Sequence, residues 1–170
     1  ADEVSFLMDL FLRALREEVQ KLHSNGVRFR VVGDVSVLGA ETRSLIEEAE
    51  ALTAANSRLC LNVAVNYGGR WDIEQAVAKA TAAGESAAFA QWLSFAGQPD
   101  PDLFIRTGGE RRVSNFMLWQ LAYTELFFSD ILWPDFDEAE LASALAWFAG
   151  RERRFGKTGE QVRVLSTTPV

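Results

Sequence analysis

The sequence predicts an α/β protein, a mainly parallel sheet flanked by helices. Three observations carry that expectation. Short apolar strand patterns alternate with segments of helical periodicity. The run 59–65 is almost continuously apolar, as suits a strand of a parallel sheet covered on both faces. Glycine pairs follow two of the strands, Gly68-Gly69 and Gly108-Gly109, so that a strand–glycine–helix unit occurs twice.

The elements follow in order. Val4, Leu7, Met8, Phe11, Leu15, Val19 and Leu22 recur at helical spacing, and Phe6, Leu10 and Ala14 add a second apolar stripe. Two stripes fit either a helix sandwiched in a core or one with a stripe lining an apolar cavity; the pattern leaves both open. Asn25-Gly26 ends this helix, both residues tolerating a left-handed turn. Residues 27–32 form the first strand, 41–52 a helix with Leu45, Ile46, Ala49 and Leu52 on one face, and 59–65 the second strand. Asn66-Tyr67-Gly68-Gly69 turns the chain into a helix starting near Trp71, and Gly84-Glu85-Ser86 separates that helix from 87–95. The third strand is 102–107. Ser114, a favoured N-cap residue, stands before an apolar run to Tyr123 and predicts a helix there. A short fourth strand at 125–128 precedes the extended turn Trp133-Pro134-Asp135-Phe136. Leu141, Leu145 and Phe148 mark a last amphipathic helix that runs into the basic segment 151–157, and 159–170 lacks periodicity and is expected to be mobile. No repeat or low-complexity linker interrupts the chain, so residues 1–170 are expected to form a single domain.

Composition narrows the function. A net charge of −7 argues against nonspecific binding to nucleic acid, which needs a basic surface. The single cysteine, Cys60, excludes an internal disulfide and a multi-cysteine metal site, and its apolar surroundings predict a buried, inert thiol. His23 reads as a helix-end residue. No run approaches the ~20 apolar residues of a membrane span. The sequence opens on Ala1-Asp2-Glu3 with neither an initiator methionine nor a signal segment, and so reads as part of a longer protein.

Against this acidic background the cations around the second glycine pair stand out. Arg106 ends a strand, Gly108-Gly109 allow a sharp turn, Glu110, Arg111 and Arg112 follow, and Ser114 would open a helix. Strand end, glycine turn, arginines and helix N-terminus together describe a cradle for phosphate or diphosphate, with free amide N–H groups and forked guanidinium donors. The competing reading is surface pairing of Glu110 with the arginines. Glu125 offers a carboxylate of the kind Mg²⁺ accepts. An intervening straight helix would hold it roughly 16 Å from Ser114. It could then reach the anion only if the chain folds back or another copy supplies it, and on pattern alone a surface glutamate is the stronger reading. No Ser–His–Asp set, no G-x-x-x-x-G-K-[ST] loop and no H-E-x-x-H occurs.

Four segments carry a family resemblance: IRTGGERRVSNFMLWQLAYTELFFSDILWPDF at 105–136, LNVAVNYGGRWDI at 61–73, EVSFLMDLFLRAL at 3–15 and RERRFG at 151–156. Together they resemble the cis-prenyltransferases, specifically those of the undecaprenyl diphosphate synthase type. The resemblance implies a Mg²⁺-dependent transferase that adds isopentenyl diphosphate in cis to farnesyl diphosphate, making the lipid carrier of cell-wall peptidoglycan synthesis. It implies a cytoplasmic homodimer that touches the inner membrane face to release product. It assigns the isopentenyl diphosphate to Arg106, Arg112, Val113 and Ser114, with Arg154 and Gly156 reaching a partner subunit's site. Glu125 becomes a Mg²⁺ ligand, and Leu7, Leu10, Phe11, Val27, Phe29 and Leu59 line a tunnel for the growing chain. Two features depart from the pattern. The signature Asp-Gly-Asn-x-Arg-Trp, which carries the family's catalytic aspartate, is absent, and 73–102 is short, with the loss near Gly84. The chain therefore resembles the C-terminal two-thirds of such an enzyme. A non-catalytic subunit of a heteromeric prenyltransferase and a phosphate-binding α/β protein are the alternatives.

Overall fold

A computed structural model describes residues 2–151, the side chains of residues 2–5, 8 and 9 excepted. Arg154, Gly156, most of the basic segment and the 159–170 tail lie outside the described residues, as do the side chains of Val4 and Met8. The chain divides between Gly97 and Gln98 into two compact units.

The first unit contains α1 (Asp2–Ser24), β1 (Val27–Val32), α2 (Ala40–Thr53), β2 (Leu59–Ala64) and α3 (Gly69–Ala82), followed by a 3₁₀ segment at Ser86–Trp92. Strands β1 and β2 pair in parallel, from Val27 opposite Leu59 to Val32 opposite Ala64. Side chains alternate across a strand, so Phe29, Leu61 and Val63 share a face. Phe29, 3% exposed, joins Leu15 of α1 with Ile46 and Ala49 of α2 in the core. Helix α2 also closes one edge of β1. The Thr53 hydroxyl accepts from the Phe29 amide at 3.0 Å while donating to the Ala49 carbonyl at 2.8 Å, and Glu50 Oε1 accepts from the Val31 amide at 2.7 Å. Edge amides of a strand need partners, and here helix side chains supply them. His23 lies in the last turn of α1, as expected.

Two expectations fail in this unit. Strand β2 is not covered on both faces, for Leu59 is 59% exposed and Leu61 38%. Cys60 is exposed rather than buried. The reason is common to both: α1 and α2 pack mainly on β1, and alternation puts Cys60 and Asn62 on the face opposite Phe29.

The turn into α3 is fixed by a buried acid. Asp72, 1% exposed, accepts from the Tyr67 hydroxyl at 2.8 Å, Gln75 Nε2 at 3.0 Å, the Ser94 amide at 2.8 Å and the Ser94 hydroxyl at 2.7 Å. A buried carboxylate is tolerable only when hydrogen-bonded in this way, and the bonds tie the Tyr67–Asp72 turn to the segment after α3.

The second unit contains β3 (Leu103–Arg106), β4 (Glu125–Phe128) and α4 (Glu138–Ala149), with 3₁₀ turns at Gln120–Tyr123 and Trp133–Asp135. Strands β3 and β4 are again parallel, from Leu103 opposite Glu125 to Arg106 opposite Phe128. Asp137 caps α4, accepting from the Glu140 amide at 3.0 Å. The helix buries Ala144 and sets Trp147 edge-on against Phe127, with centroids 5.3 Å apart. Leu141 and Leu145 of the predicted apolar face are instead exposed. The helix predicted from Ser114 to Tyr123 is absent. Ser114, Asn115 and Met117 have φ of 48°, 64° and 46°, left-handed values that no right-handed helix contains.

Burial first, then the hydrogen bond to Asp72, raises the Tyr67 phenol well above its ordinary range. The folded state thus holds this proton more tightly than the unfolded chain, whose tyrosine titrates near pH ~10. Stability from this group is complete below that pH and declines as pH rises further. Absorbance titration at 295 nm should show Tyr67 ionising only as the protein unfolds in alkali. Replacing the acid, Asp72→Ala, strands several donors and should lower unfolding free energy by about 2–4 kcal/mol in urea titration.

Candidate functional site

Among the described residues of the second unit, a hydrogen-bonded cationic feature is built around Arg106. It closes β3, where a parallel pair delivers its strand ends into a connecting loop. Its Nη1 donates to the Arg112 carbonyl at 2.6 Å and to the Ser114 hydroxyl at 2.8 Å. One guanidinium therefore shapes the loop 107–114, and the left-handed backbone at Ser114 turns that hydroxyl back to it. The structure thus joins Arg106 to Ser114 side chain to side chain, and to Arg112 through that residue's main-chain carbonyl. Val113 lies between the last two and is half-buried.

Two details of the expected cradle are corrected. The Gly108 and Gly109 amides are not free for an anion, since they donate to the Ile131 carbonyl at 2.8 Å and the Ser129 carbonyl at 3.0 Å. Their left-handed φ of 84° and 77° serves this close approach of the loop to the chain after β4. With no helix at Ser114, that residue opens no helix N-terminus beside the loop. What remains is a set of forked cations. The Arg112 side chain pairs with Glu110, both being about half exposed.

Glu125 is not brought to this cradle. It begins β4 opposite Leu103, at the other end of the strand pair from Arg106, about 10 Å away along the strand at 3.3 Å per residue. Its Oε2 accepts from Arg151 Nε at 3.0 Å, and the side chain is 22% exposed. The Arg151 guanidinium also lies 5.1 Å from the Trp147 ring centre. Among the described residues no three Asp, Glu, His or Cys side chains gather. Mg²⁺ takes one or two carboxylates plus phosphate oxygens. Glu125 fits as a single ligand, already compensated by a cation, and the described residues do not complete a metal site.

In the first unit, α1 and the Phe29 face of the sheet line a half-open apolar pocket of ≈ 370 Å³, within the usual ~300–1,000 Å³ of small-molecule sites. Phe11 and Phe29 of the predicted tunnel line it, together with Leu22, Leu61, Val63 and the carboxylate-bearing Glu18. Leu7 and Leu10 are 54% and 49% exposed on α1, and Val27 is buried beside the exposed Leu59. Leu61 and Val63 were missed from sequence. Their alternation in phase with Leu59 was visible, but only the register opposite Phe29 and Val31 places them here.

The same chain thus carries an arginine-organised loop at a strand end and an apolar cavity between helix and sheet. A family model described as "Putative undecaprenyl diphosphate synthase", of the prenyltransferase family, matches residues 1–156 and so runs across both units. The chain belongs to that family. It is 56% identical over 169 residues to an isoprenyl transferase of Nitrosomonas europaea, covering 95% of this chain and 64% of the relative. It is 55% identical over 172 residues to the ditrans,polycis-undecaprenyl-diphosphate synthase ((2E,6E)-farnesyl-diphosphate specific) of Pseudomonas aeruginosa, covering 95% of this chain and 68% of that one. A crystal structure of a probable undecaprenyl diphosphate synthase from Campylobacter jejuni superposes with a TM-score of 0.83 at 35% identity, over 92% of this chain and 76% of its own. This family member spans about two thirds of the length of the curated relatives it matches. No helix among its described residues is long and apolar enough to cross a membrane.

The role of Arg106 in shaping the loop has a direct check. Arg106→Met should speed amide hydrogen exchange across 108–116 by roughly tenfold. Because these contacts are at the surface, the urea midpoint should move by less than about 1 kcal/mol in stability.

Proposed function

We propose that this chain is the C-terminal part of an enzyme that adds isopentenyl diphosphate units in cis to farnesyl diphosphate, making undecaprenyl diphosphate, the lipid carrier of peptidoglycan synthesis. The observation that carries the reading is the Arg106–Arg112–Ser114 loop in a chain whose relatives include a farnesyl-diphosphate-specific synthase. Arg106 and Arg112 would take the diphosphate of the incoming five-carbon unit through charge-assisted, forked hydrogen bonds. The Ser114 hydroxyl, held by Arg106, can turn its own proton toward a phosphate oxygen, and Val113 sits between the anion-binding residues. Binding would draw Arg112 away from Glu110; a half-exposed pair of this kind is worth only ~0–1 kcal/mol.

The cavity lined by Phe11 and Phe29 is proposed as the start of the hydrocarbon path, with Leu7, Leu10, Val27 and Leu59 extending it, and burial of each methylene worth about 0.8 kcal/mol. Arg154 and Gly156 are proposed to act in a partner subunit of a homodimer. Mg²⁺ is the proposed cofactor, Glu125 giving one ligand and the others lying outside the described residues. The proposed location is the cytoplasm, with contact at the inner membrane face during product release. The Asp-Gly-Asn-x-Arg-Trp signature is not in this sequence, so residues 1–170 alone should not elongate farnesyl diphosphate. Radiolabelled isopentenyl diphosphate assays check this, and product from this polypeptide would refute it.

In the complete protein, Arg112→Ala should raise KM for isopentenyl diphosphate roughly 10- to 100-fold, the loss of one or two hydrogen bonds to a charged group. The KM for farnesyl diphosphate should stay within about twofold. An unchanged KM for isopentenyl diphosphate would remove Arg112 from the site.

A further inference from the structure

Arg111 is the cation that the bonds of the 107–114 loop leave uncommitted. It is exposed, and among the described residues no carboxylate pairs with it. Glu110, the acid within the loop, is taken by Arg112. Arg106 Nη1 bonds to the Arg112 carbonyl at 2.6 Å and to the Ser114 hydroxyl at 2.8 Å, which anchors the backbone beside Arg111. The Arg111 α-carbon stands one peptide, ~3.8 Å, from that of Arg112. Asp130 approaches the loop at Gly109, where an added Cβ would lie 3.6 Å from its Oδ1, and it too makes no ion pair with Arg111. The 170 residues together carry a net charge of −7, a background that repels an approaching diphosphate.

We propose that Arg111 is a capture residue, which speeds the encounter of a diphosphate with the loop without joining the contacts that hold it. Before binding, Glu110 offsets the charge of Arg112. The positive field of the loop, felt at a distance, then comes from Arg106 and Arg111. Arg106 is tied into the loop by its own hydrogen bonds, whereas Arg111 is exposed. Its field reaches over about one Debye length, ~8 Å at physiological ionic strength. A charge at the rim of a site acts mainly on the association rate and on its dependence on salt. Arg106, Arg112 and Ser114 would hold the ligand at hydrogen-bond range, where salt matters less. The inference rests on the reading of this loop as the site of isopentenyl diphosphate given above.

The test is steady-state kinetics of the complete protein at saturating farnesyl diphosphate, with circular dichroism as the check on folding. Isopentenyl diphosphate is varied at ionic strengths from about 0.01 M to about 1 M, over which the Debye length falls from ~30 Å to ~3 Å. Arg111→Gln should lower kcat/KM for isopentenyl diphosphate roughly three- to fivefold at the low end, and the gap to the parent should close to within about 1.5-fold at the high end. Arg111→Lys, which keeps the charge, should track the parent throughout. Arg111→Glu should lose roughly tenfold at low ionic strength and recover in the same way. A loss of equal size at every ionic strength would make Arg111 a direct contact and overturn its role in capture, as would no loss at any. Arg112→Ala, measured alongside, should lose activity at every ionic strength. If it does so while Arg111→Gln matches the parent, capture is overturned and the site stands. If neither variant changes kcat/KM, the reading of the loop as the isopentenyl diphosphate site fails, and capture with it.

Discussion

The register of β3 against β4 constrains everything else in the second unit. A parallel pair starting with Leu103 opposite Glu125 must end with Arg106 opposite Phe128. Arg106 and Glu125 are thereby sent to opposite ends of one strand pair. The loop from 107 onward is then free to fold over the strand ends, where Gly108 and Gly109 fasten it to the chain after β4 and Arg106 gathers Arg112 and Ser114. A slip of one residue would turn every side chain to the other face and separate Phe127 from Trp147.

The first unit depends on a comparable economy. Helix α2 completes the core through Ile46 and Ala49 and finishes β1 through Glu50 and Thr53, so the strand needs no second neighbour on that edge. With both helices drawn to β1, the cavity opens where β2 continues the Phe29 face. The buried Asp72 then locks the turn that follows β2 to the segment after α3. The apolar cavity is thus bounded on the strand side by residues whose positions are set by hydrogen bonding as well as packing.

Apart from the helix expected at Ser114, strands, helices and their order were legible in the sequence, because hydrophobic periodicity and glycine breaks are local signals. Around Arg106 the spacing brought Ser114 into view, but Arg112 joins through its main-chain carbonyl, and its side chain makes the surface pair with Glu110 that was the competing reading. What was not legible depended on partners distant in sequence. Gly108 and Gly109 looked like free donors, but Ile131 and Ser129 claim their amides. Ser114 looked like a helix cap, but its hydroxyl answers Arg106 and its backbone is left-handed. Cys60 looked buried because its neighbours are apolar, whereas the number of elements covering β2 decides the matter. Leu61 and Val63 needed the register with β1 before they could be placed against Phe29.

The ion pairs of the second unit follow one rule. Arg112 pairs with Glu110 and Arg151 with Glu125, each pair partly exposed. Such pairs contribute little to stability, as water screens them and ordering two side chains opposes their attraction. They are weak enough to open and strong enough to orient. Under the proposed function, a multiply charged phosphate group would offer Arg112 more acceptor oxygens than Glu110 does, and an exchange of partners would favour the ligand. Arg106 stands apart because its bonds go to a carbonyl and a hydroxyl rather than to an acid. Its charge is therefore uncompensated by those contacts, and the attraction for an anion at the end of β3 persists while the loop around it is held in place.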